Sequence, residues 1–224
     1  MNYGLVCISE ILKAQDKSLA FKKITRKRFS ELENSELGSG LKVLEERILH
    51  NLQLTEKIIR HCAKNSISHY RLSSALFPLI TDPTLKLQLQ KLSNYKDIRN
   101  QCEVIGNVAK DLNISLSIHP DQFNVLASEK PSVVQKTINE LNFHAKVLDM
   151  MGLAQDYSVP INIHPSLSVK NETEEDFRKL VDRFYDAFSK CDTGVRNRLV
   201  IENEDKGSWN CANLFMYFYK KSRL

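Results

Sequence analysis

The chain has 224 residues, of which 42% are hydrophobic and 26% are charged, and its formal net charge is +5. This composition is that of a globular protein, and with only 7 glycines and 6 prolines it argues against a disordered chain or a turn-rich all-β fold. The 5 cysteines form no CxxC pair, so neither a disulfide scaffold nor a zinc ribbon is indicated.

Short apolar runs alternate with longer amphipathic segments along the chain. Apolar residues at helical spacing indicate the helices, and short β-favouring runs bounded by turn residues indicate the strands. Gly152 lies just past the third helix, where a C-terminal cap belongs. In chain order, the predicted elements are a strand at 3–8, a helix at 41–64, a strand at 68–73, a helix at 85–112, a strand at 114–119, a helix at 132–151, a strand at 159–164, a helix at 173–189, a strand at 198–202 and a helix at 210–221.

This regular alternation predicts a parallel α/β fold. An open doubly wound sheet and a (β/α)8 barrel are both compatible with the order of elements. No glycine-rich phosphate fingerprint follows the first strand, which disfavours the dinucleotide-binding form of the open sheet. A complete barrel needs about 250 residues, so five units are too few to close one.

The odd number of cysteines fits a reducing compartment. No signal peptide is evident, and the apolar runs are far shorter than the about 20 residues that span a bilayer. We therefore expect an intracellular protein, in the cytoplasm, nucleoid or nucleus, with no membrane partner.

Side chains able to bind a metal follow the predicted strands. His119 ends the third strand, His164 the fourth and Glu202 the fifth, and Asp82 lies just beyond the second. In a parallel barrel these strand ends converge where active sites are built. Imidazole and carboxylate ligands suit Mn, Zn or Fe, and such an ion can generate hydroxide and clamp phosphodiester oxygens.

Each of these residues also has a purely structural explanation. A single histidine at a strand end is usually only hydrogen-bonded, but three candidates in matching positions favour a metal site. Asp82 is the weaker candidate, because Thr81–Thr84 also resembles a turn with an N-cap. The remaining histidines are assigned structural roles, and Glu204 and Asp205 are either groups supporting the site or exposed loop acids.

Much of the positive charge lies in one run, Lys22–Arg28. On its own this run is best explained as a solvated surface loop. The alternative is an arm that contacts phosphates, which would make DNA affinity depend on salt.

Several segments resemble the UV damage endonuclease family, in order and with compatible spacing over nearly the whole chain. Residues 70–78 (YRLSSALFP) resemble the family's Arg-x-Ser-Ser…Pro signature, and residues 117–123 (SIHPDQF) match its His-Pro-x-Gln-aromatic motif. The further matches are residues 142–152, between the third and fourth strand ends, and residues 161–164 (INIH) and 201–206 (IENEDK) at the fourth and fifth strand ends.

This resemblance implies a single TIM-type barrel domain over residues 1–224, with about five of the eight βα units present. It implies a monomeric, metal-dependent endonuclease that nicks double-stranded DNA immediately 5′ of UV photoproducts, which begins excision repair. Up to three divalent ions, usually Mn, would be bound. By position, the resemblance implies that His119, His164 and Glu202 are catalytic metal ligands, that Gln122 and Phe123 probe the lesion, and that Arg71 and Lys206 contact phosphates or face the site.

The sequence departs from the family pattern at three places. Asp82 stands where the family usually has a ligand histidine, and Leu5 stands where a tyrosine is often found. The Asp-x-x-His pair, further histidines and late glutamate of the family's last strands do not follow Glu202. We therefore expect a chain truncated at its C-terminus relative to the family, with impaired multi-metal catalysis. The alternatives are a catalytically impaired DNA-binding fragment and a metal-dependent sugar isomerase-like barrel.

Overall fold

The sheet contains five strands, and the computed structural model describes residues 3–121, 124–204 and 207–220. The strands are β1 (Tyr3–Val6), β2 (Ile67–Leu72), β3 (Ser115–Ile118), β4 (Ile161–Ile163) and β5 (Leu199–Ile201), in the order β1-β2-β3-β4-β5. The pairs β1–β2, β3–β4 and β4–β5 are parallel. This confirms the α/β prediction, and parallel strands in chain order are what five units of a TIM-type barrel require.

Helices connect the strands. They are α1 (Glu10–Gln15), α2 (Arg26–Ser35), α3 (Ser39–Lys64), α4 (Tyr95–Asp111), α5 (Pro131–Met150), α6 (Glu174–Ser189), α7 (Thr193–Arg196) and α8 (Cys211–Asn213). Short 3₁₀ turns occur at Ser74–Leu76 and Leu89–Lys91, and α8 continues as a π-helix over Leu214–Tyr219. Within the described part of the chain, no helix is both long and apolar enough to cross a membrane.

The predicted helix at 85–112 was wrong in its first third, because α4 begins only at Tyr95. Ser93 donates from its backbone nitrogen and its hydroxyl to the Glu45 carboxylate, at 2.6 Å in both cases, and Asn94 Nδ2 donates to the Glu45 carbonyl. Such side-chain bonds compete with helical ones. The helices α1 and α2 were missed because they bury almost nothing: α1 has no buried residue, and α2 has only Phe29.

The chain forms two compact units, and the first comprises residues 3–117 with 147–153. Its core lies between α3, α4 and β2. The side chains that are fully buried there include Leu44, Ile48, Leu52, Ile59, Tyr70, Leu72, Ile98, Cys102 and Ile105. The β1–β2 register places Val6 opposite Arg71, and the Cys7 N–H donates to the Arg71 carbonyl at 2.9 Å.

His69, assigned a structural role from sequence, bridges two serines of β3. Its Nδ1 lies 2.8 Å from Ser115 Oγ, and its Nε2 lies 2.9 Å from Ser117 Oγ. Because the Ser115 hydroxyl donates to the Ser68 carbonyl, it accepts from Nδ1–H, which leaves Nε2 to accept from Ser117. Burial, and to a lesser extent the Arg71 charge, lowers the pKa of His69 below its ordinary value.

We expect His69 to make folding stability depend on pH. In the unfolded chain this histidine takes up a proton as the pH falls through about 6.5, whereas the folded protein resists protonation until a lower pH. The free energy of unfolding should therefore decrease between about pH 7 and pH 5. In urea denaturation series over this range, His69→Gln should flatten the dependence, and an equal slope in both proteins would contradict the assignment.

The second unit comprises residues 118–146 and 154–220 and has an aromatic core. Trp209 is fully buried, with Phe177 edge-on to its ring at 5.2 Å and Phe218 also at 5.2 Å. The Trp209 indole N–H donates to the Leu167 carbonyl at 2.6 Å. The buried Arg198 guanidinium donates to the carbonyls of Ala145 and Ala154. The bond from Trp209 to Leu167 joins the loops that follow β4 and β5.

Candidate metal centre

Three side chains meet where β3, β4 and β5 end. In the parallel register Ile118 is paired with Ile161, and Ile163 with Ile201, so the residues that follow these strands are neighbours. One ligand atom from each of His119, His164 and Glu202 lies within 4.8 Å of the other two. The sequence predicted this convergence, and the second unit contains all three residues.

Each histidine of this cluster has its Nδ1 against a carbonyl oxygen. His119 Nδ1 lies 2.8 Å from the Pro120 carbonyl oxygen, and His164 Nδ1 lies 3.1 Å from the Glu202 carbonyl oxygen. A carbonyl can only accept, so each Nδ1 carries a proton, which makes Nε2 the nitrogen that can bind an ion. Metal-binding histidines are commonly oriented in this way, by a bond from the second ring nitrogen.

The spacing of the donor atoms fits a divalent ion. His119 Nε2 is 3.4 Å from Glu202 Oε2, and the two imidazole rings are 5.1 Å apart at an angle of 52°. Metal–ligand bonds of about 2.0–2.2 Å at tetrahedral angles place neighbouring ligand atoms about 3.4 Å apart. Two imidazoles and a carboxylate suit Mn, Zn or Fe alike, and three protein ligands leave coordination positions for water or substrate.

The half-buried Glu204 supports the turn that carries His164. Its Oε1 accepts from the Ser166 backbone N–H at 3.1 Å, and its own N–H donates to the Trp209 carbonyl at 3.0 Å. Ser166 has a φ of +58°, which is unusual for a residue with a side chain, and its hydroxyl donates to the His164 carbonyl. Sequence reasoning left the role of Glu204 open and missed Ser166, because a contact across 38 residues has no local signal.

We expect Glu204→Ala to weaken metal binding about 10- to 100-fold, the usual cost of losing a group that orients a ligand. Glu204→Gln should stay within a few fold of the unmodified protein, since an amide oxygen also accepts from the Ser166 N–H. Titration calorimetry with Mn²⁺ would measure both affinities. Equal affinity in the alanine variant would rule out this supporting role.

Asp82 lies in the first unit and is not among the three clustered residues. Its Oδ1 accepts from the Thr84 N–H at 2.8 Å, and its Oδ2 lies 3.1 Å from Arg26 Nε. Burial alone would raise the pKa of Asp82, but the bonds from Thr84 and the Arg26 charge outweigh it and hold the pKa below its ordinary value. The turn expected here is present. Nothing in this geometry tests the predicted role of Asp82 as a metal ligand, and the pairing of both its oxygens favours the alternative of a turn residue.

Of the four residues predicted to contact DNA, the structure describes one. Arg71 lies in β2 and is half-buried. Gln122, Phe123 and Lys206 lie outside the described residues, so their proposed contacts with a lesion or with phosphates stay predictions.

Comparison with known proteins agrees with this arrangement of motifs. A family profile described as UV-endonuclease UvdE matches residues 1–219. The chain belongs to this family. A UV DNA damage endonuclease from Nostoc sp. (strain PCC 7120) is 34% identical over 203 residues, which is 90% of this chain and 56% of that protein. One from Bacillus cereus (strain Q1) is 33% identical over 156 residues, covering 70% of this chain and 45% of the relative.

A solved structure supports the family and the fold together. It is described as the crystal structure of SacUVDE, and it matches 99% of this chain with a TM-score of 0.76 and 26% sequence identity. The match covers 66% of the SacUVDE chain, and this chain spans about half the length of the curated relatives named above. The resemblance inferred from the motifs is thereby confirmed.

Proposed function

We propose that this chain is a metal-dependent DNA-repair endonuclease that nicks double-stranded DNA on the 5′ side of UV photoproducts and so begins excision repair. The observation that supports it most is the cluster of His119, His164 and Glu202, whose ligand atoms all lie within 4.8 Å of one another. Family membership supports the nuclease over the sugar isomerase alternative. We propose Mn²⁺ as the ion, on the family resemblance.

The residues of the cluster have separate tasks in this mechanism. His119 and His164 are proposed to bind the ion through Nε2, because each Nδ1 is already engaged with a carbonyl oxygen. The Glu202 side chain supplies negative charge, and its peptide oxygen orients His164. A bound divalent ion supplies water of lowered pKa and positive charge against the phosphate oxygens. The cluster is only half-buried, which allows a phosphodiester to reach it.

Recognition of the lesion is proposed to come from structure and not from base sequence. Gln122 and Phe123 follow His119 closely in the chain and are proposed to enter the duplex where a photoproduct is extruded. A planar amide and an aromatic ring can fill that gap, and damaged bases cost less to unstack.

The proposal is tested with UV-irradiated and unirradiated supercoiled plasmid, each incubated with the protein and Mn²⁺ or with EDTA. Nicking of the irradiated plasmid only, and only with Mn²⁺, is the expected result. Mapping the break on an oligonucleotide with one cyclobutane dimer should place it immediately 5′ of the dimer. Equal nicking of both plasmids, or nicking in EDTA, would contradict the proposal.

A second candidate function is DNA binding without incision. It is favoured by the small number of metal ligands. The described residues provide one cluster of three ligands, whereas the resemblance implies a site for up to three ions. Binding of duplex DNA by folded protein, with no nicking in Mn²⁺, would select this candidate.

We expect Asp82→Asn to leave Mn²⁺ affinity within about twofold, because both carboxylate oxygens already have partners in Thr84 and Arg26. Calorimetric titration of the variant and the unmodified protein would measure this. Affinity lower by about tenfold or more would instead make Asp82 a ligand of the site.

A further inference from the structure

The basic run at 22–28 is an ordered, exposed strip and not a free loop. It carries five cations in seven residues: Lys22, Lys23, Arg26, Lys27 and Arg28. All five side chains are exposed, whereas Ile24 within the run and Phe29 just after it are buried. The apolar residues therefore fasten the strip to the first unit while the cations face solvent.

A buried asparagine fixes the backbone of this strip. Asn51 of α3 is fully buried, and its Oδ1 accepts from the Lys22 N–H at 2.7 Å. Its Nδ2 donates to the Lys22 carbonyl at 3.0 Å and to the Ala75 carbonyl at 2.9 Å. Arg47 also donates to the Lys23 carbonyl. These bonds use main-chain atoms of the strip and do not involve its lysine side chains.

Two contacts place the strip beside the segment that follows β2. Asn51 joins Lys22 to Ala75, three residues beyond the end of β2. Arg26 joins the strip to the turn at Asp82 through a 3.1 Å ion pair. The strip is thus attached at the carboxyl end of β2, and the carboxyl ends of parallel strands are where α/β enzymes bind their substrates.

The charges near the strip leave it strongly cationic. Arg26 is paired with Asp82, and Arg28 lies 3.5 Å from Glu31. Among the described residues, no acidic side chain forms an ion pair with Lys22, Lys23 or Lys27. An exposed row of cations on a fixed backbone is complementary to a row of phosphates, and the backbone of the strip needs no further ordering on binding.

We propose that Lys22, Lys23, Lys27 and Arg28 bind the phosphodiester backbone of duplex DNA as a pre-ordered strip, which Asn51 and the Arg26–Asp82 pair hold at the carboxyl end of β2. This inference rests on the proposed endonuclease function for its choice of partner. In it, Asp82 serves to anchor the strip. The contact is to phosphates, so it adds affinity without distinguishing damaged from undamaged DNA.

The test measures how duplex DNA binding depends on salt, with EDTA present, for an undamaged 30-base-pair duplex labelled with a fluorophore. The test variant is K22Q/K23Q/K27Q/R28Q, whose changes spare the backbone bonds of the strip. The matched control removes three lysines and one arginine from exposed positions on α3 and α4, as K57Q/K64Q/K96Q/R99Q. Thermal denaturation confirms that all three proteins are folded.

Each lost phosphate contact lowers the slope of log Kobs against log salt by about 0.9. We expect the strip variant to lose about two to four from the slope, and the control to lose less than one. Equal slopes for the strip variant and the control would overturn the inference.

The plasmid assay, run in parallel on unmodified protein, keeps the two proposals apart. If the unmodified protein incises DNA but the strip variant and the control have equal binding slopes, the proposed role of the strip is refuted and the endonuclease proposal stands. If the slope is lower in the strip variant but the unmodified protein does not incise DNA, the proposed role of the strip is supported and the endonuclease proposal is refuted.

Discussion

Replacing Glu202 by alanine should lower Mn²⁺-dependent nicking of irradiated plasmid at least about 100-fold and weaken Mn²⁺ binding in parallel. The change removes the one carboxylate of the cluster and leaves two imidazoles, which carry no negative charge to offset that of the ion. The Glu202 peptide oxygen that orients His164 is retained, so the effect should come from the ligand and not from a disordered loop.

Calorimetric Mn²⁺ titration gives a readout for Glu202→Ala that does not depend on activity. Glu103→Ala, on the exposed face of α4, is the matched control and should behave as the unmodified protein. If the Glu202→Ala protein bound Mn²⁺ normally, Glu202 would not be a ligand of the ion. Normal binding with lost nicking would give it a different role in the reaction.

Replacing Gly106 by alanine should cost about 3 kcal/mol or more of unfolding free energy. A Cβ at this position of α4 would lie 1.7 Å from the Met151 carbonyl oxygen and 2.7 Å from its carbonyl carbon. The obstacle is backbone, and Met151 is itself buried and held by a bond from its N–H to Val147. An ordinary glycine-to-alanine change inside a helix would instead stabilise by about 0.5–1 kcal/mol.

Urea denaturation of Gly106→Ala, followed by circular dichroism, measures this cost. Asn107→Ala is the control, because it changes the next residue of the same helix on its exposed side. It should be neutral or slightly stabilising. A Gly106→Ala protein as stable as the control would show that α4 and the end of α5 are not in this close contact.

Much of the fold could be predicted from the sequence because the strands and most helices are locally encoded. The predicted strand at 114–119 and the observed β3 differ by one residue at each end, and α6 begins after Thr173, whose Oγ1 accepts from the Asp176 N–H as the N-cap prediction requires. The start of α4 was not predictable in this way. It depends on Glu45, which lies 48 residues away from Ser93 in the chain.

The sequence by itself determined the family, the alternation of strands and helices, and the three residues at the ends of β3, β4 and β5. These follow from local patterns: apolar periodicity, the proline after each histidine, and short motifs in a fixed order. Only the tertiary structure decided which nitrogen each histidine presents, that Asp82 is paired with Arg26, and that Asn51 fastens the basic strip. Most of these depend on hydrogen bonds and ion pairs between residues far apart in the chain, and local sequence carries no signal for them.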